Sequence, residues 1–401
     1  MASLMRSSSN FASALASSPA ETSAAAAPAV DSAPTALRSE AVVGTTEVED
    51  SASHATAVLQ QLCSVCDEYE LAQLGERLQG LAVLVGRDLV AVSQALTGPL
   101  GCHGPVQASA EHLVGLGGKR LRPLCLALAA RVGQPSDGHV RDLGVAVELI
   151  HSATLLHDDV VDLGETRRGA PSARLIYGNA ASIFAGDLLL IDAIRKVVNT
   201  GLPKLLPSML DAIDEMIAAE SLQLTCRDLL VVDIETYQGV VVGKTGALFG
   251  WALRAGGRAG GCSDQVCDAL ESFGRELGHT FQLVDDLLDL CGEPEQTGKN
   301  LFADLREGKA TYPLILAMSR DESLRPRLEA LLAAESGPVV DVDAQMRGIV
   351  DAIGLTGAIQ DTRAVAAERS KAAIGALEGV PEGPARSGLA GLCELLLSRI
   401  R

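Results

Sequence analysis

Glu148-Leu-Ile-His-Ser-Ala-Thr-Leu-Leu-His-Asp-Asp-Val-Val-Asp162 sets a cluster of carboxylates into an apolar run. Asp158 and Asp162 stand four residues apart, so on a helix they share one face. His151 lies two turns earlier, close to that face. Leu155, Leu156, Val160 and Val161 cover the remaining surface, which predicts a buried helix. A second stretch repeats the pattern: Phe281-Gln-Leu-Val-Asp-Asp-Leu-Leu-Asp289. Gln282, Asp285, Asp286 and Asp289 follow helical spacing there, and Leu283, Val284, Leu287 and Leu288 cover the rest. Both clusters read DDxxD. Like charges this close on an apolar helix are unfavourable unless something neutralises them. A solvated acidic face would carry Lys- and Glu-rich flanks, and these flanks are apolar. Divalent cations held by facing carboxylates account for both clusters. Magnesium keeps waters and takes substrate phosphate oxygens. Two opposed carboxylate faces therefore predict a cleft that holds a diphosphate through magnesium.

Outward from these stretches the pattern stays helical. From Tyr69 to Leu96 apolar residues recur at three- and four-residue spacing. Gly and Pro clusters separate the helical runs at Gly101 to Pro105, Gly115 to Gly118, Gly133 to Gly138, Gly169 to Pro171, Gly256 to Gly261 and Glu293 to Gly298. Alternating β-branched strands are absent from the sequence. The expected fold is all-α, a single large helical domain of ten or so helices spanning residues 56–401. Residues 1–55 are Ala, Ser, Thr and Pro with little hydrophobic periodicity, which predicts a disordered tail. The first twenty residues carry Arg6 and no acid, a faint likeness to an organelle transit peptide.

Composition narrows the function classes. Of 401 residues 47% are hydrophobic but only 3% aromatic, so aliphatic side chains must build the core. The formal net charge of −18 opposes nucleic acid and anionic membrane alike. An anionic substrate would need local basic clusters to oppose that field. No apolar run reaches the roughly 20 residues of a membrane helix. Asp187 and Asp192, for example, interrupt the stretch from Ser182 to Ile194. The chain reads as soluble and cytoplasmic. Among nine cysteines one CxxC occurs, Cys63 and Cys66, with no second pair to complete a zinc set. Free thiols in a reducing compartment are expected.

The basic clusters exist. Gly117-Gly-Lys-Arg-Leu-Arg-Pro123 places three cations at a loop-to-helix junction, where glycines admit close backbone approach and the helix start favours anions. Arg167 and Arg168 follow the first acidic cluster after a short loop. Lys244, Lys299 and Lys309 lie in or beside later helices. Arg120 and Lys309, taken singly, read as ordinary surface cations. Gly239-Val-Val-Val-Gly-Lys-Thr245 imitates a P-loop but has three residues between its glycines instead of four. No strand precedes it, and Tyr237, Val241 and Lys244 share a helical face. Nucleotide hydrolysis is rejected.

Taken together, GGKRLRP, ELIHSATLLHDDVVD, the trailing RRG, YGNAASIFAGDLLL, GKTGALFG, FQLVDDLLDL and DLREGKATYP resemble the trans-isoprenyl diphosphate synthase family, in the family's order. The likeness runs from about residue 110 to the C-terminus. It implies an all-α fold round a central cavity and a homodimer. It implies that Asp158, Asp159 and Asp162 bind magnesium on an allylic diphosphate, and that Asp285, Asp286 and Asp289 complete the cluster, with three ions in all. Arg167 matches the residue that contacts the allylic diphosphate. Lys119, Arg122, His151 and Arg168 match positions that hold isopentenyl diphosphate. Lys244, Thr245, Gln282 and Lys299 match positions lining the reacting allylic end and its diphosphate. Two departures are modest: Leu301 to Ala303 is bulkier than usual, and Gly246 follows Lys-Thr where alanine is common.

Rival readings fit less well. A terpene cyclase would need neither a second DDxxD nor GGKRLRP. A membrane prenyltransferase would need spanning helices. A non-catalytic partner subunit would lose acidic residues, and both clusters are intact. Product length is read from Ala153 and Thr154, one turn before Asp158, where an aromatic closes the tunnel in short-chain members. Both are small, and Leu149 and Ile150 beyond them are apolar. A long-chain product is expected, with a geranylgeranyl or farnesyl synthase as the alternative.

Overall fold

Residues 72–98, 101, 103–227, 233–291, 303–334 and 342–400 are described by the computed structural model. The expected tail, the Cys63–Cys66 pair, Lys299 and Leu301 lie outside them. In chain order the helices are α1 (Ala72–Leu96), α2 (Pro105–Gly115), α3 (Leu121–Ala130), α4 (Asp137–Val161), α5 (Ala173–Tyr177), α6 (Asn179–Asn199), α7 (Leu205–Cys226), α8 (Ile234–Val241), α9 (Ala247–Ala259), α10 (Asp264–Cys291), α11 (Ala303–Arg306), α12 (Tyr312–Arg320), α13 (Leu324–Ala334), α14 (Val342–Leu355), α15 (Ala358–Ala376) and α16 (Pro384–Ser398). A π-helical turn, Val242–Gly246, joins α8 to α9.

The first acidic cluster sits at the end of α4. Every residue of α4 from Leu143 to Ile150 is buried. A helix that is apolar all round is one that others surround. It packs most extensively against α6, while α9 lies against α3 and α10, and α10 against α15. The helix stops at Asp162, and Leu163 follows in the left-handed region. The core is aliphatic, as the composition predicts, with Phe249, Trp251 and Phe273 as its largest buried side chains.

The second acidic cluster is placed by glycines. A Cβ on Gly274 would lie 2.6 Å from the Phe249 carbonyl oxygen, and one on Gly278 would lie 2.8 Å from the Gly246 Cα. Only glycine permits this α9–α10 crossing, which brings the π-turn against the α10 stretch that carries Gln282 and Asp285.

The described residues hold sixteen α-helices, more than expected. Short helices such as α5 and α11 account for part of the excess. The α12–α13 break falls at Asp321 to Ser323, with neither Gly nor Pro to signal it. The sequence also hid a hairpin. β1 (Thr166–Arg167) pairs antiparallel with β2 (Ala170–Pro171). Arg168 and Gly169 form its two-residue turn, with φ of 53° and 78°. A type I′ turn requires positive φ at both positions. For arginine that is strained, and such strain collects at functional sites. No described helix is long and apolar enough to cross a membrane.

Candidate active site

A basic cluster forms where α3, α4 and the hairpin meet. Glu148 is buried in mid-α4 and needs a counter-ion. Arg120 donates to its Oε1 at 2.6 Å, and Arg168 approaches the same oxygen at 3.9 Å. Arg120 is thus a partly buried ion-pair partner, contrary to its reading as a surface cation. Gly118 gives way to Arg168: a Cβ there would lie 2.9 Å from the guanidinium carbon. Arg122 lies 4.5 Å over the Phe249 ring, and its Nε is buried without a hydrogen-bond partner. Burial lowers its pKa to about 10, against the pull of Glu148. His151 is held well below the ordinary histidine range by burial, then by Arg122, Arg168, Arg167 and Arg120. A neutral imidazole ringed by guanidinium groups is a site made for an anion. Lys119, one residue before Arg120, is exposed.

The aspartates of the first cluster have divided surroundings. Asp158 faces Lys244, 3.8 Å away, and Lys244 also contacts Glu220 at 2.5 Å and Gln223 at 2.9 Å. Burial pushes the Asp158 carboxyl up to about 6, with Lys244 opposing and Glu220 adding to the shift. Asp159 turns inward: it is fully buried and accepts from Arg167 Nε at 2.9 Å and Nη2 at 2.5 Å. Its Oδ2 has no hydrogen-bond partner. Asp162 takes Lys309 Nζ at 2.6 Å and Arg227 Nη1 at 3.3 Å. Lys309 is no surface cation either. Burial opposes its charge, but Glu307 and Asp162 raise its pKa well above the ordinary value.

In the second cluster, Asp286 is committed to structure. It accepts from the Tyr237 hydroxyl at 2.6 Å, the Tyr312 amide at 2.9 Å and Gln282 Nε2 at 2.9 Å. Burial and then Asp304 lift its pKa to about 7, despite those donors. Asp285, half-buried, stands one residue away.

Two connections bring the acidic helices together. In the π-turn, Lys244 reaches Asp158 on α4 while Thr245 donates to Gln282 Oε1 on α10 at 3.3 Å. π-Turns recur at functional sites, because the extra residue re-aims side chains. The segment before α12 does the same: Lys309 binds Asp162, and the Tyr312 amide binds Asp286. The stretch that imitates a P-loop is helical, as its spacing predicts.

Sequence reasoning missed Glu148, Glu220, Gln223 and Arg227. Glu148 carried one signal, a carboxylate alone in an apolar run. The other three, on and just after α7, follow no motif. Of the expected tunnel residues, Thr154 is half-buried and donates to the His151 carbonyl at 2.8 Å. Ala153 is fully buried in the core.

The donor set suits a hard divalent ion. Asp158, Asp162, Glu220 and Asp285 are all oxygen donors, and the half-buried Asp158 needs more positive charge than Lys244 supplies. Among the described residues no three His, Cys, Asp or Glu side chains converge on a ready-made metal site. An ion there would draw further oxygens from water or a phosphate.

An all-α bundle in which two DDxxD helices meet beside an arginine-lined anion pocket has the architecture of an isoprenoid synthase. Residues 104–348 match the polyprenyl synthetase family. The octaprenyl diphosphate synthase of Escherichia coli (strain K12) is 36% identical over 328 residues, 81% of this chain and 99% of that protein. The crystal structure of a polyprenyl synthase from Caulobacter crescentus CB15, complexed with calcium and isoprenyl diphosphate, superposes with a TM-score of 0.72 at 37% identity, covering 79% of this chain and 96% of that one. A decaprenyl diphosphate synthase from Rhodobacter capsulatus gives 0.71 at 34%, covering 80% and 99%. The chain belongs to the polyprenyl synthetase family and is a prenyltransferase.

Proposed function

We propose that this chain is a magnesium-dependent trans-polyprenyl diphosphate synthase, which condenses an allylic diphosphate head to tail with isopentenyl diphosphate to give a long-chain product. The observation that carries the reading is the double connection between the acidic helices beside a separate arginine pocket. It supports two diphosphate sites of different chemistry, one whose carboxylates would hold it through magnesium and one built from guanidinium groups.

Asp158, Asp162, Asp285 and Asp289 hold magnesium in this reading, three ions with the diphosphate. Asp159 and Asp286, expected as ligands, become positioning residues: Asp159 aims Arg167, and Asp286 fixes Gln282, Tyr237 and Tyr312. Arg167 and Lys299 meet the allylic diphosphate. Lys244, Thr245 and Gln282 line its reacting end. Lys119, Arg122, His151 and Arg168 hold isopentenyl diphosphate. Magnesium, when bound, draws charge onto the leaving oxygens as the allylic C–O bond breaks. Lys244 and Arg167 stabilise the departing diphosphate from fixed positions. The isopentenyl alkene then attacks the allylic carbon, and the released diphosphate takes the proton. No nucleophilic Ser or Cys is needed. The aliphatic surroundings of α4 keep water from the cation.

The long-chain assignment rests on the small Thr154 and on relatives named for octaprenyl and decaprenyl products. The homodimer rests on α6, which exposes Ile183, Phe184, Ile191 and Val198 along one face. Apolar faces of this kind on a soluble protein mark association sites. The deciding experiment is to incubate purified protein with isopentenyl diphosphate, magnesium and several allylic primers, then size the extracted products. Products beyond geranylgeranyl length are expected. Geranylgeranyl or shorter products would leave only the short-chain alternative. No pyrophosphate release would end the synthase reading.

A further inference from the structure

Both oxygens of Asp162 are taken by protein cations. Lys309 Nζ holds Oδ2 at 2.6 Å, and Arg227 Nη1 stands 3.3 Å from Oδ1. The two cations come from different places: Arg227 follows the end of α7, and Lys309 lies in the segment before α12. Arg227 also donates to the Val161 carbonyl at 3.0 Å, one of the orphan acceptors at the α4 C-terminus. It is therefore pinned over the terminus of the helix that presents Asp158 and Asp162. Lys309 is shared with Glu307, at 2.7 Å, but Arg227 has Asp162 as its only carboxylate among the ion pairs of the described residues.

This arrangement sets a condition on metal binding. A divalent ion that takes Asp162 Oδ1 competes with Arg227 for it, and displacing Arg227 would leave its guanidinium, three-quarters shielded from solvent, without an anion. A metal that arrives with a diphosphate supplies that anion. We propose that Arg227 is a stand-in counter-ion for Asp162, which makes metal binding at the first acidic cluster contingent on diphosphate and which passes to a diphosphate oxygen when the metal takes the carboxylate. The exchange conserves every ion pair: Asp162 trades arginine for metal, and Arg227 trades carboxylate for phosphate. Arg227 is thus a positioning residue in the free protein and a diphosphate-binding residue in the loaded one. The inference rests on the metal-dependent reading above.

The test uses Mn2+ as the probe, followed by electron paramagnetic resonance, with and without inorganic pyrophosphate. Wild-type protein is expected to bind Mn2+ weakly alone and more tightly with pyrophosphate. Arg227→Gln keeps a donor for the Val161 carbonyl but drops the charge. It should bind Mn2+ alone on the order of fivefold more tightly, the worth of one partly exposed ion pair, and gain less from pyrophosphate. Arg227→Lys should restore the wild-type contrast. A merely structural role would weaken binding, so a gain of affinity separates the two. If wild type binds Mn2+ in a pyrophosphate-dependent way and Arg227→Gln matches it or binds less, the counter-ion role falls while the metal reading stands. If wild type binds no Mn2+ under either condition, both fall.

Discussion

Asp285 and Asp286 are adjacent in sequence and, in the proposed reading, do opposite work. Asp286 satisfies a buried tyrosine hydroxyl, a backbone amide and a glutamine. Removing its carboxylate strands all three, so Asp286→Ala should lower unfolding stability by about 3 kcal/mol. Asp285→Ala should cost less stability than Asp286→Ala and cut turnover on the order of 100- to 1,000-fold, the scale of losing one electrostatic stabiliser. Equal effects of the two variants on both measurements would refute the division. Thr154 carries the product-length argument at the same scale. It is half-buried one turn before Asp158, whereas a bulky residue at Ala153 would overpack the core. Thr154→Phe should therefore shorten the products read by mass spectrometry without loss of helicity. An unchanged product distribution would place the tunnel elsewhere.

Among the elements, the π-turn and the glycine crossing decide whether the acidic helices meet. Gly278→Ala puts a methyl carbon 2.8 Å from the Gly246 Cα, against backbone that cannot yield. The expected cost is roughly 1–3 kcal/mol of stability. Turnover should fall as well, because the crossing holds Thr245 against Gln282. A variant that melts and turns over like wild type would show that the crossing has slack. The helices, the two DDxxD faces and the anion loop were legible in the sequence because each is written within a few turns of chain. Which aspartate faces the cleft was not. Neighbours on a helix point about 100° apart, and only packing by α8 and α12 turns Asp286 inward. The hairpin was illegible for another reason: it demands positive φ from an arginine, which local preference argues against. Glu220, Gln223 and Arg227 find their partners across long sequence separations that no local spacing encodes.

For the molecule as a whole, stability should depend on pH through His279. It is buried, its Nε2 has no hydrogen-bond partner, and burial followed by Arg369 lowers its pKa from 6.5 to about 4. The unfolded chain binds that proton first. The contribution is therefore intact above pH 6.5, falls as pH drops toward about 4, and then levels off. The loss is about 3 kcal/mol. Subtracting the profile of His279→Leu from that of wild type isolates it from the carboxylates, and parallel profiles would exclude it. Assembly is tested by light scattering: Phe184→Glu on the exposed face of α6 should yield monomers where wild type gives dimers, and a dimeric variant would move the contact off that face. The hairpin has a consequence at this scale too. Arg167 is drawn to Asp159 and Arg168 to Glu148, so the two proposed substrates are gripped from consecutive residues. The two side chains start from α-carbons about 3.8 Å apart, and their different anchors send them to different places. Both grips ride on one short hairpin, so a shift of that hairpin would move them together.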